Sequence, residues 1–433
     1  MESLLERARK IADEVEVFSL SRRETQAIFE ANRLKQVQGV ESQGIALRLI
    51  KDGRLGFSAT TKPGGEVKIL ELAQEALLLG PEVKFHFPEL GRYPRVETHD
   101  PKVEEMSEEK LVELGQQLID ELRQHEPKLV CEGAVTKVTL QVRILNSRGG
   151  EAQYEKSVFS LSLEGVLIRD TDMLFVGDWE SSCHPILDPS SILRTTLGQL
   201  ERAKRVAPAP SGQLPVIFTP HGVASAFITP LALAFNGRMV LRGASPLSSK
   251  RGEQVFDPGF SLWDDPTLPF RPASRDFDDE GVPSRRIPLV ENGVVQNFLY
   301  DLQTAGLSGT QSTGSASRTL FSPPAPSTTA LVIQEGEADF EEMLQDIKQG
   351  LVVENLIGAE QGNVLGGEFS GNVLLGYRVE NGEIIGRVKD TMLSGNIYQA
   401  LREVVLGSQS RWVGSELLSP PIYVPAMAVA ARG

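Results

Sequence analysis

FDDEGVPSRRIPLVENGVVQNFLYD, residues 277–301, sets an acidic step and a basic turn directly ahead of a hairpin. Asn292-Gly293 lies between two apolar runs, and an Asn-Gly pair supplies the positive φ angles that a two-residue turn needs. The segment therefore reads as two short antiparallel strands. Asn381-Gly382 repeats the pattern further on. In front of the hairpin, residues 270–286 are dense in Pro, Arg and Asp and read as a long loop, which in a compact domain is either functional or mobile. From residue 207 onward, strands and glycine turns dominate. A strand over 214–218, a mostly apolar helix over 222–235 interrupted by Pro230, and two later helices over 340–349 and 397–406 complete this half.

Working outward, Ala207-Pro208-Ala209-Pro210-Ser211-Gly212 is the clearest boundary, because a Pro/Gly/Ser tract cannot continue a helix and makes few core contacts. Residues 1–206 form the expected N-terminal domain and residues 207–433 the C-terminal one. In the first, Leu4, Leu5, Ala8, Ile11, Ala12 and Val15 fall on one stripe at helical spacing, predicting an opening helix over 2–15. Strands follow over 25–37, 44–50 and 56–60, the last two joined by an Asp52-Gly53 turn. Helices are expected over 65–79, over 107–125 with Ser107 as N-cap, and over 190–206. Alternating runs over 137–145 and 155–168, linked by Asn146-Ser147-Arg148-Gly149-Gly150, read as an antiparallel pair. The fold class is thus α+β: a mixed N-terminal domain with an antiparallel sheet and helices, then a β-rich C-terminal domain.

Composition narrows the function. The chain has 433 residues, 40% hydrophobic and 24% charged, the balance of an ordinary globular protein. A formal charge of −14 repels phosphate backbones, and the basic clusters are short, so no nucleic-acid partner is expected. No run of 18 apolar residues and no signal-peptide pattern occurs, so a cytoplasmic protein with no membrane partner is expected. Cys131 and Cys183 are too few for a disulfide framework and read as small core residues.

The chemistry-bearing residues exclude more than they nominate. His86, His99, His125, His184 and His221 never pair at the four- or five-residue spacing that points two imidazoles at one zinc ion, and no cysteine follows Cys183. No GxSxG elbow, P-loop or Rossmann fingerprint appears, and the glycines of 362–371 lack the Lys-Ser/Thr of a phosphate loop. Asp276, Asp278, Asp279 and Glu280 cluster, and such a group can hold a divalent ion or exchange protons. Composition alone favours the plainer reading, an exposed polar loop bonded to its own backbone.

The 277–301 stretch is similar to the signature of the TldD/PmbA family, also known as modulators of DNA gyrase, with its acidic step, polar turn and hairpin in that order. Ser312-Thr313-Gly314 resembles the family's STG element, and residues 346–351 (DIKQGL) resemble its helix end. Phe369-Ser370-Gly371, residues 379–384 (VENGEI), Ser394-Gly395-Asn396 and, in the first half, Asn146-Ser147-Arg148-Gly149 extend the match over most of the chain. One branch of that family carries a helical HExxxH motif and a C-terminal cysteine that bind catalytic zinc. With Phe235-Asn236 matched to the F-N after that helix, the first histidine falls at Ala224, the glutamate at Ser225 and the second histidine at Thr229.

The resemblance is therefore to the PmbA/TldE branch, and it implies a two-domain α+β fold whose C-terminal domain supplies a dimer interface. It implies a subunit of a TldD/TldE-type metallopeptidase complex that processes peptides, with no catalytic residue, no metal site and no cofactor of its own. Zinc is expected in a TldD-like partner. Peptides would be held as an added strand through main-chain hydrogen bonds. Asn236, Asp278, Asp279, Glu280, Gly281, Thr313, Gly314, Ser370 and Gly371 are the candidate peptide-groove positions. The alternatives are an independent homodimeric hydrolase using the acidic cluster at 278–280, and a peptide-binding module without an enzymatic partner.

Overall fold

The computed structural model describes residues 1–170 and 172–431. The N-terminal half is one antiparallel sheet of long strands: β1 (Glu14–Glu30), β2 (Arg33–Lys51), β3 (Arg54–Thr60), β4 (Val130–Asn146), β5 (Glu151–Arg169) and β6 (Asp172–Ser182), in the order β3-β2-β1-β4-β5-β6. Successive side chains of a strand point to opposite faces, and here the two faces have different tasks. Val15, Val17, Leu47 and Leu49 pack under helices α1 (Glu2–Ala8) and α2 (Glu66–Ala76). Further along, Ala27, Phe29, Val135, Phe159 and Leu161 are covered by α4 (Glu108–His125) and α5 (Ser190–Arg202). The short α3 (Pro101–Glu105) adds Val103 to that cluster. The alternate residues Glu16, Phe18, Ala46, Arg48 and Ile144 face the C-terminal half, where Phe18, Ala46 and Ile144 meet Phe277.

The C-terminal half begins with β7 (Gly212–Phe218). It pairs in parallel with Gln349–Ile357 and antiparallel with Ile422–Ala431; Thr391–Asn396 and Glu368–Glu380 follow, and pairing of Glu368–Glu380 back to Gln349–Ile357 closes a five-stranded barrel. Closure satisfies both edges of every barrel strand. A second sheet of short strands contains Ile287–Glu291 and Val294–Val295, paired across Asn292-Gly293. After β7, α6 (Pro220–Val223), a π-helical turn (Ala224–Ile228) and α7 (Thr229–Ala234) run on without a break and bury Phe227 and Leu231 in the C-terminal core. That core is not sealed off from the first half. Ile217, Val352, Tyr377 and Val379 share one apolar cluster with Phe159 and Leu161.

The α+β class and the sheet-rich second half match the reading of the sequence, and so do α2, α4 and both Asn-Gly hairpins. Several spans differ. The opening helix stops at Ala8, because Val15 is needed in β1 opposite Leu49. The expected strand over 25–37 is two strands that turn at Ala31 and Asn32, both at positive φ. Helix 190–206 ends at Arg202, Phe340–Gln345 yields to a barrel strand at Gln349, and only Ile397–Ala400 of the 397–406 span is helical. Pro230 does not interrupt its helix. It is the second residue of α7, directly after the π-helical turn, and the backbone continues through it to Ala234.

Gly56 marks how closely α2 lies on β3. A Cβ there would stand 2.0 Å from the Ala73 carbonyl oxygen, a main-chain atom that can retreat only with the helix. Gly56→Ala should destabilise the protein by about 1–3 kcal/mol, as overpacking does. Thermal melting of the two proteins side by side checks this, and an unchanged midpoint would contradict the contact.

Candidate functional site

The acidic step is a buried plug, not the exposed polar loop that composition favours. Phe277 is fully buried and packs against Tyr93 and Tyr154. Asp278 Oδ1 accepts the N–H groups of Glu280 and Val282, and its Oδ2 accepts that of Ala316, each at 2.9 Å. Asp279 Oδ2 accepts Arg318 N–H at 2.9 Å and lies 3.8 Å from Arg275. Gly281 closes the turn at φ +77, with Leu90 so near that a Cβ would meet it at 2.5 Å. Tyr93 donates to the Gly281 carbonyl, and Val96 N–H to Asp276. The physical reason for the burial is that main-chain N–H groups, some from the turn itself and others from Val96, Leu302, Ala316 and Arg318, together with the Arg48 guanidinium on Glu280, replace water around these carboxylates.

Glu280 reaches deepest. Its Oε1 accepts Arg48 Nη1 at 2.6 Å and its Oε2 accepts Leu302 N–H at 2.7 Å. Arg48 in turn donates Nε and Nη2 to the two oxygens of Glu16, its cross-strand neighbour, at 2.9 and 2.5 Å. Arg318 Nη1 lies 2.9 Å from Glu16, with its guanidinium 3.8 Å above the Phe18 ring. All four side chains are 2% exposed or less. Burial pushes Glu280 up to about 7, with Arg48 opposing and Asp278 and Asp301 reinforcing the shift. Burial also pushes Asp278 up to about 6. For Glu16, burial acts upward, but Arg318 and Arg48 together hold it below the usual carboxylate range.

Of the other candidate positions, Thr313 and Gly314 belong to this assembly. Thr313 Oγ1 accepts Tyr300 N–H at 2.8 Å, and Gly314 N–H donates to Ser312 Oγ. Asn236 caps α8 (Gly237–Leu241) through Arg238 N–H and donates to the Pro326 carbonyl at 2.7 Å, beside the short pairing of 316–317 with 325–326. Ser370 and Gly371 lie elsewhere, in a barrel strand opposite Ser394 and Leu393. The cluster thus gathers six of the nine positions, Asp278, Asp279, Glu280, Gly281, Thr313 and Gly314, with Asn236 one step removed beside the 316–317 pairing and two left on the barrel.

Sequence reading missed Glu16, Arg48, Arg318 and Asp301. A signal existed for Arg48, a charge inside a strand whose neighbours on both faces are apolar, but nothing local names its partners. His221 is buried, with its Nε2 3.0 Å from the buried Asp178 of β6, which Arg411 also binds. Cys131 and Cys183 are buried free thiols.

The segment matched to the zinc helix carries other chemistry. Ala224 offers a methyl group. Ser225 Oγ donates to the Gly222 carbonyl at 2.9 Å and accepts Leu356 N–H at 3.3 Å, while Thr229 Oγ1 donates to Glu360 at 2.5 Å. This trio has no imidazole or carboxylate and does not fit a zinc ion. Among the described residues, no three His, Cys, Asp or Glu side chains converge as a metal site would require, and no helix is long and apolar enough to cross a membrane.

Residues 211–431 match the PmbA/TldA metallopeptidase C-terminal domain, and residues 15–79 match PmbA/TldA metallopeptidase domain 1. The chain belongs to the TldD/PmbA family. A metalloprotease of Archaeoglobus fulgidus is 30% identical over 328 residues, 74% of each chain. TldE from Thermococcus kodakarensis is 27% identical and superposes with a TM-score of 0.90 over 100% of both chains. A proposed modulator of a DNA gyrase from Thermotoga maritima is likewise 27% identical, with a TM-score of 0.90 over 99% of both.

The raised Glu280 gives a signed prediction. Its folded value lies above the ordinary 4.5, so folding favours the protonated form; that contribution is complete below the unfolded value and is lost as pH rises through about 7. Glu280→Gln, a neutral isostere, should therefore gain stability relative to the unaltered chain between about pH 5 and about pH 8. Melting both proteins across that range tests the sign, and a constant difference would mean that Glu280 does not titrate there.

Proposed function

We propose that this chain is a PmbA/TldE-like subunit of a TldD/TldE-type metallopeptidase complex, holding peptides for a zinc-bearing, TldD-like partner and contributing no zinc ligand itself. The observation that carries the reading is the replaced motif. In a chain of this family, the positions matched to HExxxH hold Ala224, Ser225 and Thr229, and both hydroxyls are engaged in hydrogen bonds with their surroundings. Kinship with a TldE over the full length of both chains supports the same assignment.

The acidic cluster lends little to an independent hydrolase. Each oxygen of Asp278 and of Glu280 already accepts at least one hydrogen bond from main-chain N–H groups or Arg48, which ties both side chains to the fold rather than to a substrate proton. The subunit is read as cytoplasmic, as a heterodimer with the zinc-bearing relative or a homodimer in its absence, with peptides added as a strand. Its charge of −14 argues against direct contact with DNA, so any link to gyrase would run through a peptide.

The test is metal content and peptide hydrolysis of the purified chain, alone and mixed with the zinc-bearing relative of the same organism. The expected outcome is no stoichiometric zinc and no turnover alone, and turnover in the mixture that requires this chain. Zinc bound stoichiometrically to the isolated protein, or hydrolysis by it, would overturn the proposal.

A further inference from the structure

A cavity of about 370 Å3 lies where the N-terminal sheet meets the C-terminal half, within the range of about 300–1,000 Å3 typical of small-molecule sites. Its wall is apolar, formed by Leu55 and Phe57 of β3 with Phe85 and Pro323. Arg48, Glu280 and Asp301 also line it, each at most 2% exposed. The three differ in what they still offer. Arg48 is engaged at Nε, Nη1 and Nη2, and each oxygen of Glu280 already accepts one hydrogen bond. Asp301 caps α9 (Leu302–Ser308) with one oxygen only: Oδ1 accepts Thr304 N–H at 2.7 Å and Thr304 Oγ1 at 2.6 Å. Among the described residues, none donates to its Oδ2.

A carboxylate oxygen that opens onto the cavity with no protein donor, beside a second carboxylate and a guanidinium already matched by two acids, suits a cationic donor. The wall calls for hydrocarbon. We infer that this cavity takes a primary ammonium attached to a compact apolar side chain, as found at the N-terminus of a peptide, with the ammonium on Asp301 Oδ2 and the side chain against Phe57 and Phe85. Arg238, solvent-exposed, lines the same cavity and can donate to a carbonyl, which a peptide end carries and a simple alkylamine does not. The source of the ligand rests on the peptide-holding role proposed above. The ammonium chemistry rests on the cavity alone.

The probes are leucinamide and N-acetyl-leucinamide, titrated calorimetrically into the full chain. Leucinamide should bind saturably, and the acetylated form, which has lost its charge, should bind at least about tenfold more weakly. Asp301→Asn keeps the helix cap, since Asn caps as well as Asp, and should weaken leucinamide by about tenfold or more while the free protein melts as before. Leu55→Trp narrows the cavity without touching a buried charge and should abolish binding, which keeps the test decisive if Asp301→Asn misfolds. No binding of leucinamide, equal binding of the acetylated form, or binding unaffected by both substitutions would each overturn the inference. Peptidase activity in the mixture with the zinc-bearing relative, in the absence of leucinamide binding, would sink this inference and leave the subunit proposal standing.

Discussion

The guanidinium of Arg48 is the joint on which the two halves are set. It lies between Glu16 on the neighbouring strand and Glu280 at the tip of the acidic turn, with Arg318 closing the chain on the far side of Glu16. Such an assembly contributes little net stability over a well-packed apolar substitute, because each ion has lost its water. Removing one member, however, strands an uncompensated buried charge at a cost of about 3–5 kcal/mol. Its role is therefore registration. With Glu280 on Arg48 the turn is held against the sheet face, and Phe277 and Gly281 are set against Leu90, Tyr93 and Tyr154.

Other features of the interface repeat the logic on a smaller scale. Asp178 on β6 receives His221 from α6 and Arg411 from the C-terminal half, so the edge of the N-terminal sheet is tied to the helical segment matched to the zinc helix. The apolar cluster that joins Phe159 and Leu161 to Val352 and Tyr377 supplies non-directional burial, while the two charged joints supply orientation. The cavity near Asp301 follows from the same arrangement. Where the turn and α9 approach β3 without filling the space, one carboxylate oxygen faces an apolar wall.

Local signals in the chain were read where the physics is local. Asn292-Gly293, Asn381-Gly382 and Asp52-Gly53 form turns because few other residues accept positive φ there. Ser107 caps α4 through Lys110 N–H, and its apolar stripe buries Leu111, Leu118 and Leu122. The reading failed where a distant partner overrides propensity. Val15 belongs to a helical stripe by spacing but is drawn into β1 by Leu49, and residues 401–406 leave the expected helix so that Val405 and Leu406 can pair with Tyr423 and Ile422.

The sequence by itself determined the α+β class, the hairpins, the family, and the lack of imidazole and thiolate pairs at zinc-binding spacing. It named residues 278–280 as a place of interest but assigned them to solvent, because three successive acids look hydrophilic in isolation. Only the tertiary structure decided that they are buried. Glu280 finds Arg48 across 232 positions of chain and Asp278 finds Ala316 across 38, and the burial of a charge is set by partners that no local pattern reveals.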